Sequence, residues 1–320
     1  MGSSVDSMVK TAFLFPGQGA QYVGMGREFY NAFPLARKMY DEAEEILHLD
    51  IADLCFSGPE DKLNLTENTQ PAILIHSIIA LKTLKDHDIE VVVSAGHSLG
   101  EYSSLVAAGS LDFADAVRLV QKRGRFMQEA VPLGEGAMAA IMGLSLEVII
   151  DLCHQYSSDE SLVQPANINS IGQIVIAGHK KAVKEVLDLA GKGGAKKTVL
   201  LPVSAPFHCS LMKPAERKLR VELEKTKFNS LNFPIITNVD ATLINDGDSA
   251  RDSLCRQVCS PVRWVETMEV LQNQGVQRII EFGPGRVLSG LMKRFNKSIE
   301  CLQVNDVVSM EKTLLALKDN

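Results

Sequence analysis

Val91-Val92-Val93-Ser94-Ala95-Gly96-His97-Ser98-Leu99-Gly100 is the stretch that decides the fold. A run of β-branched residues suits a strand buried on both faces. Two glycines then bracket a serine, and Gly100 to Ala108 has helical spacing. A strand that turns sharply into a helix at G-x-S-x-G is the setting of a nucleophile elbow. So tight a bend leaves no room for Cβ atoms at the flanking positions, hence Gly96 and Gly100. The turn lifts the Ser98 hydroxyl off the sheet and sets it at a helix N-terminus. Free amides and the helix dipole favour negative charge there. The Leu99 N–H becomes a candidate oxyanion donor.

Outward from the elbow, strand and helix patterns alternate. Thr11 to Phe15 reads as a buried strand closed by Pro16-Gly17, and Ala36–Leu47, Gln70–Leu84 and Phe113–Ala130 read as helices. That alternation predicts a parallel α/β sheet. The texture changes near Pro132-Leu133-Gly134. Strand, helix, strand, strand, helix, strand then follow between Ala137 and Val203, the ferredoxin-like order. After Pro206 the strand–helix alternation returns, with a helix at Pro214–Lys225, a strand at Pro234–Ile236 and a helix at Trp264–Gln272. A strand at Ile279–Phe282 and a helix at Leu288–Phe295 complete it. The expected architecture is a discontinuous α/β unit, 8–132 with 204–320, carrying an inserted ferredoxin-like unit at 133–203. Met1 to Ser7 read as a cloning remnant ahead of a natural start at Met8.

Composition narrows the function. In 320 residues, 46% hydrophobic and 22% charged content can bury a large core, so disorder is excluded as the main state. A formal net charge of −6 argues against a broad nucleic-acid footprint. No apolar run reaches a membrane span; the longest, Ala72 to Leu84, is broken by His76, Ser77, Lys82 and Thr83. The six cysteines are scattered, without metal-site spacing, and predict reduced thiols in a cytoplasmic protein.

A serine nucleophile needs a base. Of seven histidines, His97 sits beside Ser98, but neighbouring side chains at an elbow point apart. His208 stands out by context: Val203-Ser204-Ala205-Pro206-Phe207-His208 leaves a strand through a proline turn, and a helix follows. Such loop ends reach the rim of an α/β sheet. Phe15-Pro16-Gly17-Gln18-Gly19-Ala20-Gln21 leaves the first strand, and Tyr22 in the third glycine position spoils a dinucleotide fingerprint. An oxyanion loop with the Gln18 amide as second donor is the better use. Arg123 falls within a helix and, by periodicity alone, would be a solvated arginine.

Five motifs now stand together in order: Phe15 to Gln21, Gly96-His-Ser-Leu-Gly-Glu-Tyr102, Arg123-Gly124, Ser204 to His208, and Glu281-Phe-Gly-Pro-Gly285. The set resembles the bacterial-type malonyl-CoA:acyl-carrier-protein transacylase family from about Val9 to the C-terminus. The resemblance implies an α/β-hydrolase-like large subdomain with a ferredoxin-like small one. It implies that Ser98 is acylated, that His208 is its base, and that the Gln257 main-chain carbonyl orients the imidazole, making a dyad. Arg123 would grip the free malonyl carboxylate through two parallel hydrogen bonds. Phe207 would fill the space by the malonyl α-carbon, and Asn169, with Asn167, would enter the cleft from the small unit. The implied partners are malonyl-CoA and acyl carrier protein, with no nucleic acid, membrane, metal or cofactor, coenzyme A thioester being a substrate; a monomer is expected. Carrier protein is acidic as a family, so docking needs a positive patch, at Lys192, Lys196 and Lys197 or at Arg286, Lys293 and Arg294.

A lipase- or esterase-type serine hydrolase shares the elbow but places an acid and then its histidine late in the chain. No histidine follows His208 here, which favours the transferase. A non-catalytic module of the same fold would have no use for Ser98, His208 and Arg123 together.

Overall fold

A computed structural model describes residues 9–84, 87, 89–158, 160–203 and 205–318. Met1 to Met8, and Ser204 of the histidine motif, lie outside the described residues. Among the described residues, ten strands form two sheets: β1 Thr11–Phe15, β2 Val91–Gly96, β3 Gly136–Met142, β4 Val163–Ser170, β5 Gln173–His179, β6 Lys197–Leu200, β7 Ile235–Ile236, β8 Leu243–Ile244, β9 Arg278–Phe282 and β10 Glu300–Val304.

The larger sheet has the order β10-β9-β1-β2-β7-β8. It is parallel from β10 to β7, and β8 returns antiparallel to β7. Strand–helix alternation predicts parallel pairing throughout this region, and the short hairpin is the exception. β7 is only two residues long and turns back through Asn238 to Thr242, too short a link for a crossover. β1 and β2 are central, and every residue of β1 is buried, as their unbroken apolar runs require. Two buried clusters cover the sheet. One carries Tyr40, the Ile73 to Ile79 helix face and Phe282; the other carries Trp264, Met268 and Leu291.

The smaller sheet, β4-β5-β3-β6, is wholly antiparallel, with helices Leu146–Tyr156 and Lys180–Lys192 against it. That strand order is the ferredoxin-like one. Alternation divides its faces: Ala137, Ala139 and Ile141 pack on the sheet's own helices, whereas Met138 and Ala140 join the core of the larger unit. β6 stops at Leu200 rather than running to Val203 as the sequence suggests; Leu201 still donates its N–H to Met138 O at 2.9 Å, and Leu201 and Val203 line the cleft. A pair of backbone bonds, Ile168 N–H to Val262 O at 2.9 Å and Val262 N–H to Ala166 O at 2.9 Å, stitches β4 to the larger unit beside the site.

Candidate active site

The elbow forms at the C-terminal end of β2. Phe15 pairs with Gly96, so the β1 loop and the elbow leave the sheet side by side. Ser98 adopts a left-handed φ of 52°. A Cβ on Gly96 would stand 1.9 Å from the Gly100 carbonyl, and one on Gly100 would stand 2.1 Å from the Phe15 oxygen. Glycine is therefore imposed by contact between strand, turn and helix. Asn238 holds the strained turn: its Oδ1 accepts from the Ser98 N–H at 2.6 Å, and its Nδ2 donates to Gly96 O at 2.7 Å. Leu99 caps the helix Gly100–Ala107.

The structure brings His208 to Ser98 across 110 residues. Oγ and Nε2 are 2.7 Å apart, and Nδ1 donates to the main-chain O of Gln257 at 3.0 Å. With Nδ1 carrying the proton, Nε2 is left as an acceptor facing the hydroxyl. His208 also has a positive φ, 60°, as the chain turns from the proline loop toward the helix Lys213–Lys225. Burial, and secondarily the charge of Arg123, pushes its pKa down to about 3, so the imidazole rests neutral at pH 7. His97 points elsewhere, its Nε2 against Asn169 Oδ1 at 2.8 Å and its ring against Trp264.

Arg123 is not solvated. Only 1% of it is exposed, in the helix Phe113–Glu129. It donates to Gln70 Oε1 at 2.8 Å, Gln257 Oε1 at 2.8 Å and Ser98 Oγ at 3.1 Å, while its Nε has no hydrogen-bond partner. The guanidinium also lies over the Tyr102 ring. Burial lowers its pKa, but a guanidinium remains charged. A buried cation with neutral neighbours and a spare donor is a site for an incoming anion.

Ser98, His208, Arg123, Gln18, Leu99 and Phe207 line one cavity of about 110 Å³. It adjoins a groove of about 430 Å³ between the two sheets, lined by Gln18, His97, Asn167, Asn169, Val287 and Leu288 among others. The expected reacting and oxyanion residues thus meet in the cavity, Asn169 lines the adjoining groove, and Gln257 stands behind the histidine. Lys192, Lys196 and Lys197 are exposed on the smaller unit; Arg286, Lys293 and Arg294 are exposed beyond the groove. Sequence reasoning missed Asn238, Gln70, Glu101 and the side-chain role of Gln257. Asn238 and Gln70 carry no local signal, being ordinary polar residues on a loop and a helix. Among the described residues, no cluster of His, Cys, Asp or Glu could hold a metal ion.

The arrangement can deprotonate a serine, place its oxygen beside helix-terminal amides and hold an anionic group nearby. The family model described as acyl transferase domain matches residues 12–315. The chain is 46% identical over 312 residues to malonyl CoA-acyl carrier protein transacylase of Bacillus subtilis, covering 98% of each protein. It is 46% identical over 308 residues to the protein of the same name from Escherichia coli K12, covering 96% of this chain and 99% of that one. Among solved structures, it resembles the transacylase of Coxiella burnetii at 40% identity and a TM-score of 0.94, covering 97% of this chain and 98% of that one. It also resembles a malonyl-transacylase solved with its type II PKS acyl-carrier protein, at 44% identity and a TM-score of 0.93, covering 97% and 100% of the two chains.

Proposed function

The chain belongs to the acyl transferase domain family, and on that premise we propose that it moves malonyl groups from malonyl-CoA to the phosphopantetheine thiol of acyl carrier protein, in cytoplasmic fatty acid synthesis. The observation that carries this reading is the Ser98 hydroxyl set between a neutral imidazole at 2.7 Å and a buried guanidinium at 3.1 Å. The first group makes a nucleophile, and the second selects an acyl group that ends in a carboxylate.

His208 takes the Ser98 proton as Oγ attacks the malonyl thioester carbon. The N–H groups of Leu99 and Gln18 receive the tetrahedral oxyanion. The C–S bond breaks, and His208 returns its proton to the coenzyme A thiolate. The carrier thiol then enters and reverses these steps. Gln257 O keeps the imidazole in the required tautomer. Arg123 turns from the hydroxyl to the malonyl carboxylate. Met127, Met138, Leu201, Val203 and Phe207 wall the cavity and limit water at the acyl-enzyme. The groove past Asn169 takes the pantetheine arm, and the exposed cations around Arg286 face the carrier. No cofactor beyond the thioester substrate takes part.

Intact-mass analysis after exposure to malonyl-CoA tests the reading. One malonyl group should appear on Ser98 and leave when carrier protein is added, and Ser98→Ala should acquire none. Continuous release of coenzyme A without carrier would instead make the protein a hydrolase. The similarity to a transacylase solved with a type II PKS carrier favours a second setting, polyketide loading. Faster transfer to that class of carrier than to the fatty-acid class would decide for it.

A further inference from the structure

Behind the reacting groups lies a buried carboxyl group that the proposed steps do not use. Glu101, at the start of the helix Gly100–Ala107, is fully buried. Its Oε2 accepts from the Asn238 N–H at 3.0 Å and from Gln257 Nε2 at 2.8 Å, and its Oε1 accepts from Ser253 Oγ at 2.9 Å. Donors on both oxygens suit a carboxylate. The Gln257 side chain lies between this anion and Arg123: its Nε2 faces Glu101, and its Oε1 accepts from the guanidinium at 2.8 Å. A single amide therefore keeps two buried opposite charges apart. A direct ion pair would occupy the guanidinium; here its hydrogen-bond acceptors are all neutral.

We infer that Glu101 is the built-in counter-charge to Arg123, a positioning residue that steadies the cation in the empty cavity and weakens its grip on the acyl carboxylate. The inference rests on the malonyl-transfer reading above. An isolated buried cation would be costly, and Glu101 relieves that cost through Gln257. Once a malonyl carboxylate arrives, the same anion repels it from one amide further back. The acyl group is then selected but not trapped, which suits an enzyme that must pass it to a second thiol.

The test is the acylation equilibrium. Enzyme is mixed with malonyl-CoA and free coenzyme A at fixed ratios, and the malonyl-enzyme fraction is read by intact mass; the same is done with acetyl-CoA. Glu101→Gln removes the charge and keeps the shape. The new amide oxygen can accept from Asn238 and Gln257, and its NH₂ can donate to the Ser253 hydroxyl, which is free to reverse. A unit charge one side-chain amide away, at a protein-like dielectric, is worth on the order of tenfold in equilibrium. The malonyl equilibrium should therefore shift roughly tenfold toward acyl-enzyme, and the acetyl equilibrium by less than about twofold. Equal shifts for both acyl groups, or no malonyl shift, overturn the inference. A wild-type protein that takes up no malonyl group would instead overturn the functional reading. Should Glu101→Gln prove too unstable for that assay, adding Arg123→Met removes the stranded cation, and the double variant should unfold at a higher Tm than the single one. A double variant no more stable than the single sinks the counter-charge.

Discussion

At the residue scale, the charge state of each reacting group follows from burial. His208 is 3% exposed, and its pKa lies near 3 rather than at the ordinary 6.5. The proton that would silence it as a base is therefore absent over the whole physiological range. Serine acylation, followed by stopped-flow release of coenzyme A, should show no inflection near pH 6.5 and should hold within about twofold down to pH 5. An acid limb centred at 6.5 would mean that the imidazole is more solvated than its surroundings allow. Arg123 supports a second expectation. Its guanidinium meets only neutral acceptors and the face of Tyr102. A charged contact in such a site is worth about 2–5 kcal/mol. Arg123→Ala should thus lower malonyl transfer relative to acetyl transfer by ~30-fold or more. Parallel losses for the two acyl groups would remove its role as carboxylate clamp.

At the element scale, the site depends on how closely the first helix after β2 approaches β1. The 2.1 Å between a Cβ on Gly100 and the Phe15 oxygen leaves neither backbone room to yield. Gly100→Ala should cost more than about 3 kcal/mol in urea unfolding, among the larger single-residue effects, and should abolish acylation by displacing the oxyanion loop. A stable, active variant would show that the elbow tolerates splaying. This part of the molecule was legible in the sequence for the same steric reason: apolar runs bounded by obligatory glycines leave few alternatives. The strand–helix–strand order between Ala137 and Val203 was legible too, because its apolar residues alternate cleanly between two covered faces. The helix Gly247–Gln257, β8 and β10 left weaker traces. The helix is polar and caps itself through Asp246, β8 has two residues, and only Val304 of β10 is fully buried. Glu101 was invisible as a site residue. An acid after G-x-S-x-G resembles any helix-start glutamate until its partners arrive from 137, 152 and 156 residues away.

At the scale of the whole molecule, the groups that make the chemistry possible also tie stability to pH. His208 shares its buried neutrality with His76, which is fully buried in the helix Thr66–Lys82 and has a pKa pushed down to about 4 by burial. His76 Nε2 bonds Asn305 O at 3.0 Å, joining that helix to the loop after β10. Both histidines have folded pKa values below the unfolded value of about 6.5. The unfolded chain therefore binds more protons than the folded one below pH 6.5. Their contribution is fully present above 6.5 and is lost as pH falls toward 4 and 3. Each fully displaced proton is worth about 1.4 kcal/mol per pH unit. Glu101 and Glu281 act in the opposite sense: burial raises their pKa values, so the stability tied to them falls as pH rises from the ordinary carboxyl value through the raised folded one. The net slope mixes these signs, so a difference between proteins isolates one group. His76→Leu and wild type, unfolded in urea at pH 5 and pH 7, should differ in their pH slopes by roughly two-thirds of a proton averaged over that range. The variant should lose less stability on acidification, whatever packing the substitution costs at pH 7. Identical slopes would mean that His76 takes up a proton in the folded protein as readily as in the unfolded chain, which a fully buried ring bonded to a main-chain carbonyl has no means to do.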